Sequence, residues 1–522
     1  MRNTSPLPPP MQRSMKAPSL IARSPAVLGD LDRSPVAAST VEKVTRLQPF
    51  RNRNDLLQGS HMDGRIYIRR RAYAGERRMQ NAARLDHDHL WHPFTQQRDW
   101  VGEEPLMIES AQGVELIDSG GRRYLDGVSS LWCNVHGHRH PALDEAVREQ
   151  LDRVAHSTML GLSHPGAAEL AARLVEIAPS GLSRVFYSDS GSTAVEVALK
   201  MAFQYWQHRG GQHVRKTSFI CLDDAYHGDT IGSVSVGGMP LFHSTFGPLL
   251  FDAHRARPGD VDDLARLLAR REEEVAAVVL EPLVQGAAGM LTHPPGYLRA
   301  VRRLCDRHGA LLICDEVATG FGRTGTMFAC EQEGVSPDLL CVAKGLTGGY
   351  LPLAATLATE RIYEAFLGAH SEYRTFFHGH TYTGNPLACA AAIASLDVFQ
   401  RERTLVRLQP KIRLLSEWLR QVERMREVQE VRHRGLMVGI DLGEHDPELR
   451  LGHRVVMEAR RRGVIVRPLG DVIVLMPPLA ISKQDLRRLV GVVAESIRAA
   501  YPVAEFDSGA KGRLDAALLE AA

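Results

Sequence analysis

The sequence predicts an α/β protein: a doubly wound, mostly parallel sheet in a large domain, beside a smaller α+β domain formed from both chain ends. Three observations carry this. From about residue 167 to 360, strand-length apolar runs alternate with amphipathic helical stretches, the pattern of stacked βα units. Two of the runs end on a charge: Leu311-Leu312-Ile313-Cys314 precedes Asp315, and Leu339-Leu340-Cys341-Val342-Ala343 precedes Lys344. Runs this short read as strands buried on both faces, so the charges fall at the carboxyl edge, where open α/β sheets keep ligands. Outside that stretch the chain changes character, with a Gly-turned hairpin before residue 155 and a charged helix with short strands beyond 400.

The 522 residues, 44% hydrophobic and 24% charged, suit a globular enzyme of two or three domains. With 63 basic against 61 acidic residues the net charge is +2, so no global field draws the chain to nucleic acid or to a membrane, and small-molecule partners are expected. The seven cysteines include no C-x-x-C pair and read as reduced core thiols of a cytoplasmic protein. No apolar stretch approaches the roughly 18–20 residues of a spanning helix, and the 22 histidines form no metal-ligand cluster.

Residues 1–85 are rich in Pro, Ser and Arg, hold no acid before Asp30 and keep no hydrophobic period; they are expected to be a disordered arm. Proline works against the helix of a transit peptide. The arm reads better as sequence upstream of a later start, at Met62 or Met79. Residues 86–155 are expected to supply the N-terminal part of the small domain, with a hairpin formed by Val114–Asp118 and Gly121–Gly127. The large domain is placed at 156–400, the C-terminal part of the small domain at 401–505, and a tail at 506–522.

Within the large domain, the strand Arg184–Tyr187 runs into Ser188-Asp189-Ser190-Gly191-Ser192-Thr193 and a helix from Ala194 to about Gln207. Amides of a first helical turn suit a phosphate, with Gly191 allowing close backbone approach and Ser192 adding a hydroxyl. A plain Ser/Thr N-cap fits the same residues. The strand Ser218–Leu222 leads to Tyr226, a candidate to stack on a flat ring or an ordinary turn tyrosine. The strand Val275–Leu280 leads to Glu281, a carboxylate able to orient a ligand or to cap a loop. Asp315 and Lys344 together suit pyridoxal phosphate, the amine condensing with its aldehyde and the carboxylate keeping its ring nitrogen protonated; either alone also fits a helix cap or a snorkelling lysine. Arg467, at the end of a strand expected over Val464–Arg467, is a candidate anchor for a carboxylate. Trp132, amid small polar residues, earns no role from its surroundings alone.

The stretch Asp315-Glu316-Val317-Ala318-Thr319-Gly320-Phe321-Gly322-Arg323-Thr324-Gly325, then Ala343-Lys344-Gly345, then His378 to Pro386, resembles the class III aminotransferases of fold type I. Trp91-His92-Pro93-Phe94-Thr95-Gln96, Asp189-Ser190-Gly191-Ser192, Tyr226-His227-Gly228-Asp229 and Arg467-Pro468 narrow the resemblance to the 7,8-diaminononanoate synthases of biotin biosynthesis. The resemblance spans about residues 88 to 500. It implies a pyridoxal 5'-phosphate enzyme in which Lys344 is catalytic and Asp315, Gly191, Ser192, Tyr226, His380 and Thr381 bind the cofactor. Phe94, Trp132, Tyr226, Gly379 and Arg467 would meet the substrate, 8-amino-7-oxononanoate. It also implies a homodimer with shared active sites, Gly379, His380 and Thr381 reaching across from the other subunit. The amino donor would be S-adenosylmethionine, with lysine as the alternative, because Leu131, Phe94, His380 and Val474 stand where adenosylmethionine users tend to carry Trp, Tyr, Pro and Tyr.

Two other readings compete. An aminotransferase for ornithine, 4-aminobutyrate or another ω-amino acid would share Asp315 and Lys344 but not the Trp91–Thr95 segment. A regulator with a DNA-binding arm would need a helix-turn-helix in residues 1–85, where the proline-broken sequence shows none.

Overall fold

The computed structural model describes residues 82–501. Residues 1–81 of the expected arm and the expected tail, 506–522, lie outside the described residues, as do 502–505; residues 82–89 are helical, so the last four residues of the expected arm, 82–85, are ordered instead. The first sheet is a meander of β1 (Ile108–Gln112), β2 (Glu115–Asp118) and β3 (Arg123–Asp126). The sequence pattern anticipates β2 and β3 but not β1, whose Ile-Glu-Ser-Ala-Gln lacks apolar alternation. As an edge strand β1 needs little beyond backbone pairing, and four of its five residues are exposed.

The large domain holds a seven-stranded sheet. Its strands are β4 (Leu182–Ser188), β5 (Ser218–Leu222), β6 (His254–Ala256), β7 (Val275–Leu280), β8 (Leu311–Asp315), β9 (Leu339–Val342) and β10 (Ala354–Thr359). They lie in the order β4-β10-β9-β8-β7-β5-β6, and β10 alone runs antiparallel to its neighbours. Alternation inside β8 explains the two helical layers. Leu312 and Cys314 join one core, Leu311 and Ile313 the other, and all four are at most 1% exposed. The strand β10, Ala-Ala-Thr-Leu-Ala-Thr, has weak strand propensity and no sequence signal. Its small residues instead let a helix pack close, and Thr356 Oγ1 donates to Ala194 O at 2.8 Å.

That helix, α1 (Gly191–Arg209), begins three residues before the expected Ala194. Ser190 caps it in a reciprocal box with Thr193, which places Gly191 and Ser192 in the first turn.

Past α2 (Pro386–Arg401) and α3 (Thr404–Glu423) the small domain resumes with β11 (Glu430–Arg434) and β12 (Met437–Asp441). The strand expected over Val464–Arg467 is two. β13 (Val464–Ile465) pairs parallel with β3, while β14 (Arg467–Leu469) pairs antiparallel with β15 (Val472–Leu475) in a second sheet. The chain changes sheets at Val466, and Pro468, which lacks an N–H, lies on an edge strand. Pairing of β13 with β3 is what joins the two ends of the chain into one small domain. Among the described residues no helix is long and apolar enough to cross a membrane, and all seven cysteines are free.

Leu312→Ala and Ile313→Ala face opposite layers, and each is expected to lower the unfolding free energy by about 2–5 kcal/mol. Urea denaturation checks this; an unchanged midpoint in either variant would mean that its face of the sheet is not packed.

Candidate active site

Carboxyl ends of four adjacent strands, β9, β8, β7 and β5, and of β4 beyond the antiparallel β10, deliver the chemistry to one place. Asp315 ends β8, Lys344 follows β9, Glu281 follows β7, Tyr226 and His227 follow β5, and Gly191 and Ser192 follow β4. Together with Trp132 they line a cavity of about 470 Å³, within the usual size for a small-molecule site.

Lys344 opens a short 3-10 turn with φ +44, a left-handed conformation unusual for a side-chain-bearing residue and the kind of strain kept at functional positions. Its Nζ lies 5.3 Å from the centre of the Trp132 ring. Burial pushes its pKa down, and the nearby Asp315 and Glu281 only partly oppose this, so the amine is biased toward the neutral, nucleophilic form. Asp315 is 4% exposed and firmly held. Its Oδ1 accepts from Val317 N–H at 3.0 Å, and its Oδ2 pairs with His227 Nδ1 at 2.7 Å. Burial lowers the His227 pKa, but the bond to and charge of Asp315 outweigh it and the net shift is upward.

His227 went unassigned in the sequence, although it sits within Tyr226-His227-Gly228-Asp229. The available signal was its place one residue past a candidate ring-stacking tyrosine at a strand end. Its Nε2 is buried with no partner. Tyr226 donates from its hydroxyl to Asp229 Oδ2 at 2.8 Å, and Asp229 N–H donates to Ser192 Oγ at 3.1 Å, tying the tyrosine loop to the start of α1. Glu281 accepts from Gly286 N–H at 2.9 Å and from Tyr226 N–H at 3.3 Å.

These residues fit pyridoxal phosphate. Both glycines of the cradle are required by space: a Cβ on Gly191 would stand 2.5 Å from Val317 Cγ1, and one on Gly228 would stand 1.9 Å from Ser192 Oγ. The free amides of the first turn of α1 suit its phosphate. The pinned Asp315 carboxylate suits a protonated ring nitrogen, and the unpaired Lys344 amine suits its aldehyde. The Trp132 Nε1 donor is likewise buried without a partner.

Other expected residues lie elsewhere in the chain. Phe94 and Arg467 line a separate cleft with Val128 and Ser130. An aromatic relay runs between the two spaces: Phe94 to Phe242 at 5.5 Å, edge to face, and Phe242 to Tyr226 at 6.3 Å. Phe242, also unassigned in the sequence, lies on a short helix with no distinguishing pattern. Arg467 has no ion pair among the described residues, and its charge acts on the Tyr226 hydroxyl. Gly379, His380 and Thr381 do not line the cavity of their own chain. Thr381 and Gly379 are exposed, while His380 Nδ1 lies 3.2 Å from Asp189 Oδ2 at the cavity rim.

Burial pushes the Glu281 carboxyl from 4.5 up to about 7, the His227 charge opposing and the Asp315 charge adding to the shift. A folded pKa above the unfolded one means that neutral Glu281 contributes stability below the unfolded pKa, and that this is lost as pH rises through about 7. Glu281→Gln cannot ionise and is expected to gain on the order of 2 kcal/mol on the wild type between about pH 5 and 8. Parallel unfolding curves across that range check it; a constant difference would mean that Glu281 does not titrate there.

The family described as Aminotransferase class-III matches residues 97–497. The chain is similar to the adenosylmethionine-8-amino-7-oxononanoate aminotransferase of Nitratidesulfovibrio vulgaris, 59% identical over 82% of this chain and 83% of the relative. Its fold is similar to the crystal structure of the adenosylmethionine-8-amino-7-oxononanoate aminotransferase from Methanocaldococcus jannaschii, with TM-score 0.80 and 43% identity over 81% of this chain and 100% of that one. It is also similar to an (S)-enantioselective omega-transaminase from Thermomicrobium roseum, with TM-score 0.77 and 36% identity over 81% and 99%. With a family match across most of its length and a strand-edge lysine, aspartate and glycine cradle to receive the cofactor, the chain belongs to the class-III aminotransferases, enzymes that depend on pyridoxal 5'-phosphate.

Proposed function

We propose that this aminotransferase converts 8-amino-7-oxononanoate to 7,8-diaminononanoate, taking the amino group from S-adenosylmethionine. The observation that carries the substrate is Arg467. It is a guanidinium without an ion pair among the described residues, in a cleft joined to the Lys344 cavity by the Phe94–Phe242–Tyr226 relay. A long keto acid with a terminal carboxylate meets that arrangement, carboxylate on Arg467 and ketone toward Lys344. The donor is read from the names of the relatives. Lysine is the second reading, since Leu131 is half exposed and Val474 is fully buried among core side chains, leaving neither an aromatic ring nor a hydroxyl at those places.

Lys344, Asp315, Gly191, Ser192 and Tyr226 would hold the cofactor, which when bound supplies an electron sink and stores the amino group between the two half-reactions. Lys344 Nζ gives way to the incoming donor amine, takes a proton from the donor carbon and returns one on the far side of the transfer. Burial lowers its pKa, which favours the unprotonated amine that can accept that proton. Asp315 is held in place by His227 on one oxygen and the Val317 N–H on the other. Trp132 covers the amine and helps to exclude water.

The active form is a homodimer in which Gly379, His380 and Thr381 of one subunit complete the site of the other. Exposed Leu160, Leu162, Phe377 and Tyr382, on loops joined by the 4.7 Å contact of His156 with Tyr382, leave an apolar face suited to a second copy.

Mixing the cofactor-loaded protein with each donor in turn tests the reading. S-adenosylmethionine alone is expected to bleach the yellow absorbance, with 8-amino-7-oxononanoate restoring it; bleaching by lysine alone would reassign the donor, and by ω-amines alone would overturn the substrate. Arg467→Ala is expected to raise KM for the keto acid on the order of a hundredfold with a smaller effect on kcat. Inactive Lys344→Ala mixed with Thr381→Glu should recover about a quarter of wild-type activity, since half of randomly paired dimers carry one intact site. No recovery would refute site sharing.

A further inference from the structure

Residues 129–132 form the wall between the cavity and the Arg467 cleft, with Trp132 lining the first and Ser130 the second. Three of these four residues are left-handed without being glycine: Ser129 at φ +52, Ser130 at +61 and Trp132 at +64. For an aromatic side chain this is a marked outlier, and such a turn persists only when its surroundings impose it. The imposing group is Asp126, which is 0% exposed. Its Oδ1 accepts from Ser130 N–H at 2.9 Å and Val128 N–H at 3.3 Å, and its Oδ2 accepts from Ser130 Oγ at 3.1 Å and from His138 Nε2 at 2.9 Å.

His138 is itself oriented. Asn134 Nδ2 lies 3.2 Å from its Nδ1, and the Asn134 Oδ1 accepts from Gly137 N–H at 2.8 Å, so Nδ1 is the acceptor and the proton sits on Nε2 facing Asp126. The far end of the turn is fixed by the fully buried Arg323, which donates to Asn134 O at 2.6 Å, and the near end by Ser129 Oγ, which donates to Met476 O at 2.7 Å.

We propose that Asp126, backed by His138, is a positioning residue that stores backbone strain in the 129–132 turn, sets the Trp132 wall against Lys344, and thereby fixes the length of substrate accepted between Lys344 and Arg467. Neither residue touches the cavity. The length selection rests on the keto-acid transamination proposed above; the clamp itself does not.

Asp126→Asn keeps the shape but cannot accept from both Ser130 Oγ and His138 Nε2 as the carboxylate does. In the cofactor-loaded protein it is expected to speed hydrogen exchange over residues 128–134 on the order of tenfold or more, with Val275–Leu280 unchanged. KM for 8-amino-7-oxononanoate should rise on the order of tenfold, and the preference over an analogue two methylenes shorter should shrink. Ser130→Gly should show the same loss of length preference with an unchanged or higher thermal midpoint, because glycine accepts the left-handed conformation without strain. A residue that merely holds the fold would lower the midpoint instead. Exchange that does not change in Asp126→Asn, or activity that falls only with the folded fraction while length preference survives, overturns the proposal. Should the wild type fail to turn over the keto acid while exchange still responds to Asp126→Asn, the transamination reading falls and the clamp stands.

Discussion

The site depends on one buried hydrogen bond, from His227 to Asp315 at 2.7 Å. A carboxylate 4% exposed in the sheet core would shed its charge unless paired and bonded. The imidazole on one oxygen and the Val317 N–H on the other supply that pairing and bonding. Lys344 is treated in the opposite way, largely enclosed with no hydrogen-bond or ion-pair partner for Nζ among the described residues, so desolvation favours its neutral form. One edge of the sheet thus holds a hydrogen-bonded carboxyl beside an amine without such partners among the described residues, a contrast that supports the proposed roles. Glu281, pushed toward neutrality, adds no second strong anion to the pair.

The small domain matters because it places a guanidinium some way from the sheet edge, where the proposed function needs an anchor. The change of sheets at Val466 turns Arg467 into the cleft, and β13 pairing with β3 brings the Trp132 turn against it. Arg323 joins these parts from the centre. It is 2% exposed, and without a carboxylate it gives its donors to Asn134 O and Pro477 O, carbonyls of segments far apart in the chain. Two carbonyls meet its Nη1 and Nη2 groups while its Nε keeps no partner among the described residues, and the charge it leaves further depresses Lys344.

Much of this was legible beforehand where local chemistry is self-sufficient. β5, β7 and β8 stand at the expected residues because continuous apolar runs have no other place to go in a parallel sheet. The helix of the phosphate cradle starts three residues early because a Ser190–Thr193 box ends it more sharply than apolar periodicity indicates. β10 and β1 carried no signal, one being made of small residues chosen for a close helix, the other of exposed residues on an edge. The small polar neighbours of Trp132 suggest no role for it; they are small and polar because they are hydrogen-bonded into a strained turn, which leaves the ring packed in a core cluster and lining the cavity at once.

By itself the sequence determined the fold class and the order of chemical groups along the sheet edge, Asp315 and Lys344 among them, since strand-end charges follow from patterns a few residues long. Only the tertiary structure decided that His227 holds Asp315, that Phe242 links two spaces, that one apparent strand divides at Val466, and that Gly379, His380 and Thr381 stand outside their own chain's cavity. Each of these turns on distance between residues far apart in the chain, and no local pattern encodes which distant side chains the packing brings together.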